Sequence, residues 1–191
     1  MPRNNHPRRG SIITVDPIRD VEVIKRIKSS LHGRNLVLFT LGINNGLRAG
    51  DLLRLRVKDI SGYGIGEKIR IREEKTGKVN ILMLNSEVYS VLTNYLKEEK
   101  LDSNDYLFKS RKGDVLTVAS VNHLVKKWCS GLVGNYGSHS LRKTFGWVQR
   151  VVHGVSWEIL CKRFNHSHPG ITMRYLGFTD DEVCSILMNA V

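Results

Sequence analysis

Apolar residues along this 191-residue chain recur mostly at steps of three and four, which is the period of an amphipathic helix. The first helix is predicted to begin at Pro17, with Asp16 as its N-cap, because proline is favoured in the first turn of a helix and aspartate at the N-cap. Its apolar face would consist of Ile18, Val21, Ile24, Ile27 and Leu31. The helical period returns over residues 34–43, 86–100, 117–132, 138–154, 156–165 and 168–177, and a short helix opens near residue 48.

One segment in the middle of the chain has a different period. Ile69 and Ile71 alternate with charged residues, and a turn follows at Thr76 and Gly77. After the turn the alternating apolar residues are Val79, Ile81 and Met83. Alternation on both sides of a polar turn is typical of a β-hairpin. The sequence therefore predicts an α+β fold that is mainly α with one small antiparallel sheet.

The charge of the chain is strongly unbalanced. It has 30 Lys and Arg against 18 Asp and Glu, which gives a formal net charge of +12. Such an excess on a small domain favours a polyanionic partner, and nucleic acid is the commonest polyanion. An anionic membrane surface, or a charge that only keeps the protein dissolved, would explain the same excess. No run of about 18 apolar residues occurs, so we expect no membrane span.

The cysteines do not indicate a metal or a disulfide framework. Cys129, Cys161 and Cys184 are widely separated, and none belongs to a Cys-x-x-Cys pair. We expect buried, reduced thiols in a cytoplasmic protein. We also expect residues 16–191 to form a single domain, because 191 residues would make two thin ones. Residues 1–15 form a basic leader, expected to be flexible, whose possible phosphate contacts are Arg3, Arg8 and Arg9.

Several polar residues do not follow from the hydrophobic pattern. Arg48 stands at a predicted helix start, where the helix dipole disfavours a cation, so an external anion would be its natural partner. Lys75 and Lys78 lie at the predicted hairpin tip. His139 and Arg142 share the first-turn face of a helix, a position suited to a phosphate. Each feature taken alone is also compatible with an ordinary solvated surface.

The last unusual group lies near the C-terminus. His166 precedes Tyr175 by nine residues (175 − 166 = 9), and Arg174 stands beside the tyrosine. Pro169 and Gly170 interrupt the chain between them, so Tyr175 lies on a short helix that can be repositioned relative to His166. A tyrosine taken alone is more often a packing residue than a nucleophile.

In this order, these residues resemble the catalytic set of the tyrosine recombinase (phage integrase) family. The segment NGLRAGDLLRLR resembles the first box of the family, with Asp51 three residues after Arg48. KTGK resembles the hairpin lysine, HSLRKTF the His-x-x-Arg box, and NHSHPGITMRYLG the last box, where a His precedes the nucleophilic Tyr by this spacing. The resemblance extends from about Leu31 to Leu187. Asn165 replaces a usual Gly, and Asn is the next most tolerant residue of a left-handed turn.

The resemblance implies a catalytic domain that cuts and rejoins DNA at specific sites through a 3′-phosphotyrosine intermediate. Tyr175 would be the nucleophile, Lys75 the general acid, and the two arginines would stabilise the phosphate charge. The implied catalytic residues are Arg48, Lys75, His139, Arg142, His166 and Tyr175, with Asp51 in a supporting role. The expected DNA contacts are Arg48, Lys75, Lys78, Arg142 and Arg174. The sequence does not divide the roles of the two histidines.

The resemblance also implies partners. These are double-stranded DNA recombination sites, further copies of the chain in a tetramer on DNA, and accessory DNA-binding proteins, within the nucleoid. Neither a metal nor another cofactor is expected. Only about 30 residues precede the first box, so the N-terminal core-binding domain usual in the family is expected to be absent. A capping box at Thr179 and Glu182 opens a tail helix, whose apolar stripe could pack on this domain or on a neighbouring copy. The stripe consists of Val183, Ile186 and Leu187.

Two other functions fit the same residues. One is a non-catalytic DNA-binding regulator that keeps the fold without using the chemistry. The other is a type IB topoisomerase-like enzyme, which would relax supercoils without exchanging strands between partners. Formation of a covalent protein–DNA adduct separates the regulator from both enzymes, and relaxation of an arbitrary plasmid identifies the topoisomerase.

Overall fold

The structure, a computed structural model, describes residues 14–110, 113–178 and 188. Its helices are α1 (Val21–Ser30), α2 (Gly33–Asn45), α3 (Ala49–Leu53), α4 (Ser86–Glu99), α5 (Val118–Trp128), α6 (Ser138–Trp147), α7 (Trp157–Phe164) and α8 (Pro169–Leu176). The strands are β1 (Lys68–Arg72) and β2 (Val79–Met83). A 3₁₀ turn spans Val57–Asp59 and a π-helical turn spans Val148–Val152. The predicted mainly α fold with a small antiparallel sheet is therefore confirmed.

The first helix begins later than the sequence predicts. Asp20 caps α1, since its carboxylate accepts hydrogen bonds from the backbone N–H groups of Glu22 and Val23 at 2.7 and 3.2 Å. Asp16 instead accepts from the backbone N–H of Asn135 at 2.8 Å. The N–H of Ile18 donates to Thr144 Oγ1 at 2.8 Å. Residues 16–18 are therefore a strap across the domain, because their polar groups find partners distant in sequence.

The predicted hairpin is present, but β2 presents a different face to the core. β1 and β2 pair antiparallel, and Ile69 lies opposite Leu82. Both side chains are buried, because directly opposed residues share one face of a sheet. The inward residues of β2 are thus Asn80 and Leu82, whereas Val79 is 55% exposed. The alternating apolar residues Val79, Ile81 and Met83, which indicated the strand, therefore lie on its outward face.

Two apolar clusters support the functional part of the molecule. The larger is centred on α2, whose Leu38, Phe39 and Leu41 are fully buried. Gly42 lets α2 approach α6 closely, because a Cβ at this position would lie 2.8 Å from a Leu141 methyl carbon. The smaller cluster lies under α6, α7 and α8 and consists of Phe145, Leu160, Phe164 and Leu176. The ends of α2, α6 and α7 are therefore fixed relative to one another.

The other sequence predictions fall partly outside the described residues. Cys129 and Cys161 are buried free thiols, as expected, whereas Cys184 is not described. Residues 1–13 of the basic leader, the tail capping box and the tail stripe also lie outside the described residues. Within the described part of the chain, no helix is both long enough and apolar enough to cross a bilayer.

The strand register makes a direct prediction about stability. Leu82→Ala should lower the free energy of unfolding by about 2–5 kcal/mol, because it empties a fully buried position. Val79→Ala, on the exposed face of the same strand, should lower it by less than about 1 kcal/mol. Urea unfolding followed by circular dichroism measures both. Equal losses would contradict this register.

Candidate active site

Arg48 lies at the turn between α2 and α3. Gly46 closes α2 in the left-handed conformation, and Arg48 is the residue that precedes the first turn of α3. Its guanidinium forms an ion pair with the buried carboxylate of Glu73, with 2.5 Å between Nη1 and Oε2. Asp51 Oδ2 is 3.9 Å from the same nitrogen. The sequence predicted an external anion for Arg48, but in this structure its partner is an internal one.

Arg142 is buried on α6 and binds two backbone carbonyls. Its Nη1 donates to Gly46 O at 2.5 Å, and its Nη2 donates to Phe164 O at 2.9 Å. The guanidinium also lies over the Phe164 ring, 4.5 Å from the ring centre. Arg142 therefore joins the turn that positions Arg48 to the end of α7, just before His166.

His166 and Tyr175 face each other across a short loop. Asn165 ends α7 with φ of 56°, and α8 begins at Pro169. His166 Nδ1 is 2.9 Å from Thr172 Oγ1, and the His166 and Tyr175 ring centres are 5.4 Å apart. The Tyr175 ring packs against the smaller cluster, whereas its hydroxyl is buried without a hydrogen-bond partner among the described residues. Tyr175 is thus a packing residue whose polar end has no structural role.

The charges of the site shift the pKa values of its histidines and tyrosine. Burial, followed by the positive charges of Arg142 and Arg48, lowers the pKa of His166 to about 4. The pKa of His139 is lowered by the same causes in the same order. Burial raises the pKa of Tyr175, while Arg142 and Arg48 oppose that rise. At neutral pH the site therefore combines neutral imidazoles, a protonated phenol and permanent positive charge.

Lys75 stands on the exposed turn of the hairpin, close enough for its charge to lower the pKa of His139. The base of this turn is held by Asp51, whose Oδ1 accepts from the backbone N–H of Glu74 at 2.9 Å. Asp51 is therefore a supporting residue for the hairpin as well as a neighbour of Arg48. Lys78 and Arg174 are exposed, on the hairpin and on α8 respectively.

His139 and Tyr175 border a groove of about 350 Å³, which is also lined by Lys143, Ile171 and Arg174. A larger cavity of about 710 Å³ lies at the start of α2 and contains none of the predicted catalytic residues. The groove is the better candidate because Tyr175, the predicted nucleophile, and His139 both line it. No cluster of three metal-binding side chains occurs among the described residues.

Sequence reasoning missed three charged residues near the site, of which Glu73 and Lys143 are buried and Arg163 is half-buried. Glu73 pairs with Arg48, and Lys143 Nζ lies 5.0 Å from the centre of the Tyr175 ring. Arg163 donates to Asn80 Oδ1 and Ile81 O, each at 2.6 Å. No spacing distinguishes these residues from the many surface charges of the chain. Only their burial, which depends on distant partners, identifies them.

The sequence of this chain is similar to those of known proteins. The profile of the phage integrase family matches residues 19–182. The probable integrase/recombinase YoeC of Bacillus subtilis is 33% identical over 174 residues, covering 87% of this chain and 92% of YoeC. The TnP I resolvase of Bacillus thuringiensis is 30% identical over 165 residues, covering 83% of this chain and 56% of the resolvase. The chain thus spans nearly all of the first relative and about half of the second.

Solved structures of other proteins have the same fold as this chain. The XerA recombinase superposes with a TM-score of 0.73 at 21% identity, covering 95% of this chain and 68% of XerA. The XerH site-specific recombinase, in a post-cleavage complex with its palindromic difH substrate, gives 0.72 at 22% identity, covering 94% of this chain and 55% of XerH. The extent of the profile match and the identity to YoeC show that this chain belongs to the phage integrase family, the tyrosine-type site-specific DNA recombinases.

Proposed function

We propose that the chain cleaves and rejoins DNA at specific sites through a covalent bond between Tyr175 and a 3′-phosphate. The observation that supports this most directly is the position of the Tyr175 hydroxyl, which is buried beside Arg142 and Arg48, whose positive charges favour the phenolate. A buried polar group without a partner is costly, and such groups persist where function needs them.

Tyr175 combines packing and chemistry without conflict. Its ring lies edge-on to Phe164, with 5.6 Å between ring centres, so the side chain is held by the same cluster that supports the site. The hydroxyl contributes nothing to this packing and remains protonated because burial raises its pKa. A phenol in this state is unreactive until a phosphate and a base are beside it, which protects the DNA-free protein from side reactions.

The proposed reaction is a transesterification at phosphorus. The Tyr175 oxygen attacks the phosphorus atom, its proton leaves to a base, and the bond from phosphorus to the 5′-oxygen breaks. Lys75 on the hairpin gives the departing 5′-oxygen its proton. The 5′-hydroxyl of a second strand then attacks the phosphotyrosine and releases the phenol. One phosphoester replaces another at each step, so no ATP is consumed.

The two arginines would stabilise the charge that develops on the non-bridging oxygens. Arg142 is fixed by two carbonyls, so its position does not depend on DNA. Arg48 is also held before DNA binds, through Glu73. Donors fixed in advance need no reorganisation during the reaction, which makes them effective for a transition state.

The histidines enter the reaction as neutral imidazoles. His166 uses Nδ1 towards Thr172, which leaves Nε2 for the phosphate or for the proton of the phenol. A bound phosphate anion would raise its low pKa, because a nearby negative charge favours the imidazolium. His139, which lines the groove, is the second candidate for these roles.

We further propose that the partner is a double-stranded recombination site. Lys78 and Arg174 would contact its phosphates alongside the catalytic cations. Strand exchange joins two duplexes, so we infer a tetramer on DNA, with accessory DNA-binding proteins as further partners and the nucleoid as the place of action. Residues 16–191 would act as one catalytic unit. A non-catalytic regulator and a topoisomerase are less well supported, since the relatives are named integrases, resolvases and recombinases.

The first prediction concerns covalent chemistry. Tyr175→Phe should form no adduct with a nicked suicide substrate, since the variant lacks the attacking oxygen. It should bind DNA and remain as stable as the parent, because the lost hydroxyl has no hydrogen-bond partner among the described residues. Arg48→Lys should slow adduct formation by about 10²–10³-fold.

Denaturing gel electrophoresis measures the adduct. The matched control is Tyr63→Phe, the same change at a half-exposed tyrosine outside the site, which should leave the adduct unchanged. An adduct that persists in Tyr175→Phe would refute the proposed nucleophile.

The second prediction concerns pH. The pKa of His166 is about 4 and that of His139 is lowered from 6.5, so each ring is more than half neutral at pH 6.5 and above. The Tyr175 pKa lies above 10.0, so the phenol stays protonated in the same range. At subsaturating enzyme, histidine protonation should therefore lower the rate of single-turnover cleavage by less than half between about pH 8.5 and 6.5. A fall in cleavage rate that is centred near pH 6.5 and is absent in His139→Gln would contradict the lowered pKa of His139.

The third prediction concerns salt. The logarithm of the DNA-binding constant should fall linearly with the logarithm of the salt concentration, because a protein of net charge +12 displaces counterions from DNA. Lys78→Gln and Arg174→Gln should each reduce the slope by about one if each contacts a phosphate. Lys97→Gln, on α4, is a charge-matched comparison. Fluorescence anisotropy gives the slopes, and an affinity independent of salt would contradict the electrostatic picture.

A further inference from the structure

Glu73 is a buried carboxylate that takes no part in the proposed chemical steps. It lies at the end of β1, and its residue is 1% exposed. A carboxylate removed from water is costly unless charges and hydrogen bonds compensate it. The partners of Glu73 must therefore be strong, and they show what the residue connects.

Each oxygen of Glu73 meets two donors. Oε2 forms the ion pair with Arg48 at 2.5 Å and accepts from Thr76 Oγ1 at 2.6 Å. Oε1 accepts from Asn80 Nδ2 at 2.8 Å and from Asn165 Nδ2 at 3.2 Å. Burial would raise the pKa of Glu73, but the hydrogen bonds from Thr76 and Asn80 and the hydrogen bond and charge of Arg48 lower it to about 2. The group is therefore an anion at any pH at which the protein works.

The four donors belong to separate parts of the proposed active site. Arg48 is itself a proposed catalytic residue. Thr76 follows Lys75 in the hairpin turn, and Asn80 lies in the strand after it. Asn165 immediately precedes His166 and is 92 residues from Glu73 in sequence. One carboxylate thus connects the arginine, the lysine hairpin and the histidine loop.

Asn165 adds a link that a glycine could not provide. Its φ of 56° is the left-handed conformation in which Gly is the least strained residue. Asn tolerates this conformation and also has an amide, which in this chain reaches Glu73. The residue therefore satisfies the turn and ties it to the hairpin.

We propose that Glu73 is a positioning residue, which holds Arg48, the Lys75 hairpin and the His166 loop in register around the phosphate that Tyr175 attacks. This inference rests on the proposed function. A misplacement of about 1 Å in such a set can cost about 10²-fold in rate. Neutralising Glu73 would also free Arg48 from its internal anion, so DNA affinity and cleavage rate should respond differently.

The test compares Glu73→Gln with Glu67→Gln. The first change places an amide N–H₂ group against donors, so the network should loosen. Single-turnover cleavage of the nicked substrate under saturating enzyme should fall by about tenfold or more, while DNA affinity stays equal or becomes tighter. Glu67→Gln makes the same change at an exposed carboxylate before β1 and should alter neither quantity. Unchanged cleavage, or an equal loss of affinity and rate, would overturn the inference.

A second variant tests the same link in case Glu73→Gln does not fold. Asn165→Gly keeps the left-handed turn and removes only the amide. It should slow cleavage by about two- to fivefold in the parent and have little further effect in Glu73→Gln, because both changes break one link. Independent, multiplicative effects would contradict that link.

Hydrogen exchange supplies a readout that needs no activity. In Glu73→Gln, amides of the turn at 76–78 and of the loop at 165–168 should exchange faster together, while α2 remains protected. Loosening of only one segment, or of the whole domain, would overturn the positioning role. If the parent forms no adduct, the proposed function fails, whereas hydrogen exchange still decides whether Glu73 joins the two segments.

Discussion

The site depends on keeping buried guanidinium groups together although they repel one another. Arg142 and Arg163 solve this at the C-terminal end of α2, where Gly46 O accepts from Arg142 and Asn45 O accepts from Arg163. The last carbonyls of a helix have no partner within the helix and lie at the negative end of its dipole. They are therefore suitable partners for cations that must stay charged. Arg48, two residues beyond this end, is balanced by Glu73 instead.

The residues proposed to carry the chemistry lie at helix ends. Arg48 lies three residues after the end of α2, His139 is the second residue of α6, and His166 lies two residues after the end of α7. The close approach of α2 and α6 at Gly42 and the small cluster beneath α8 fix these ends with apolar contacts. The polar groups of the site then act on a rigid base, as transition-state stabilisation requires.

Local spacing was enough to predict much of this protein. The steps of three and four located the helices, and the change of period located the hairpin, whereas the resemblance of the ordered boxes to a known family indicated Arg48, Arg142, His166 and Tyr175. These signals work because a residue's neighbours in sequence decide its helical face or its place in a turn. The predicted start of α1 was wrong because Asp16 and Ile18 form hydrogen bonds with Asn135 and Thr144, which are distant in sequence.

Only the tertiary structure decided which face of β2 is buried and which charges are internal. Asn80 and Glu73 look like surface residues in the sequence, yet they point inwards because they satisfy each other, Arg163 and Arg48. The sequence determined the secondary structure, the positive charge and the order of the reactive residues, since each of these is local or additive. The geometry of the site arose from pairings across many residues, because a buried charge is stable only where distant segments bring its partners together.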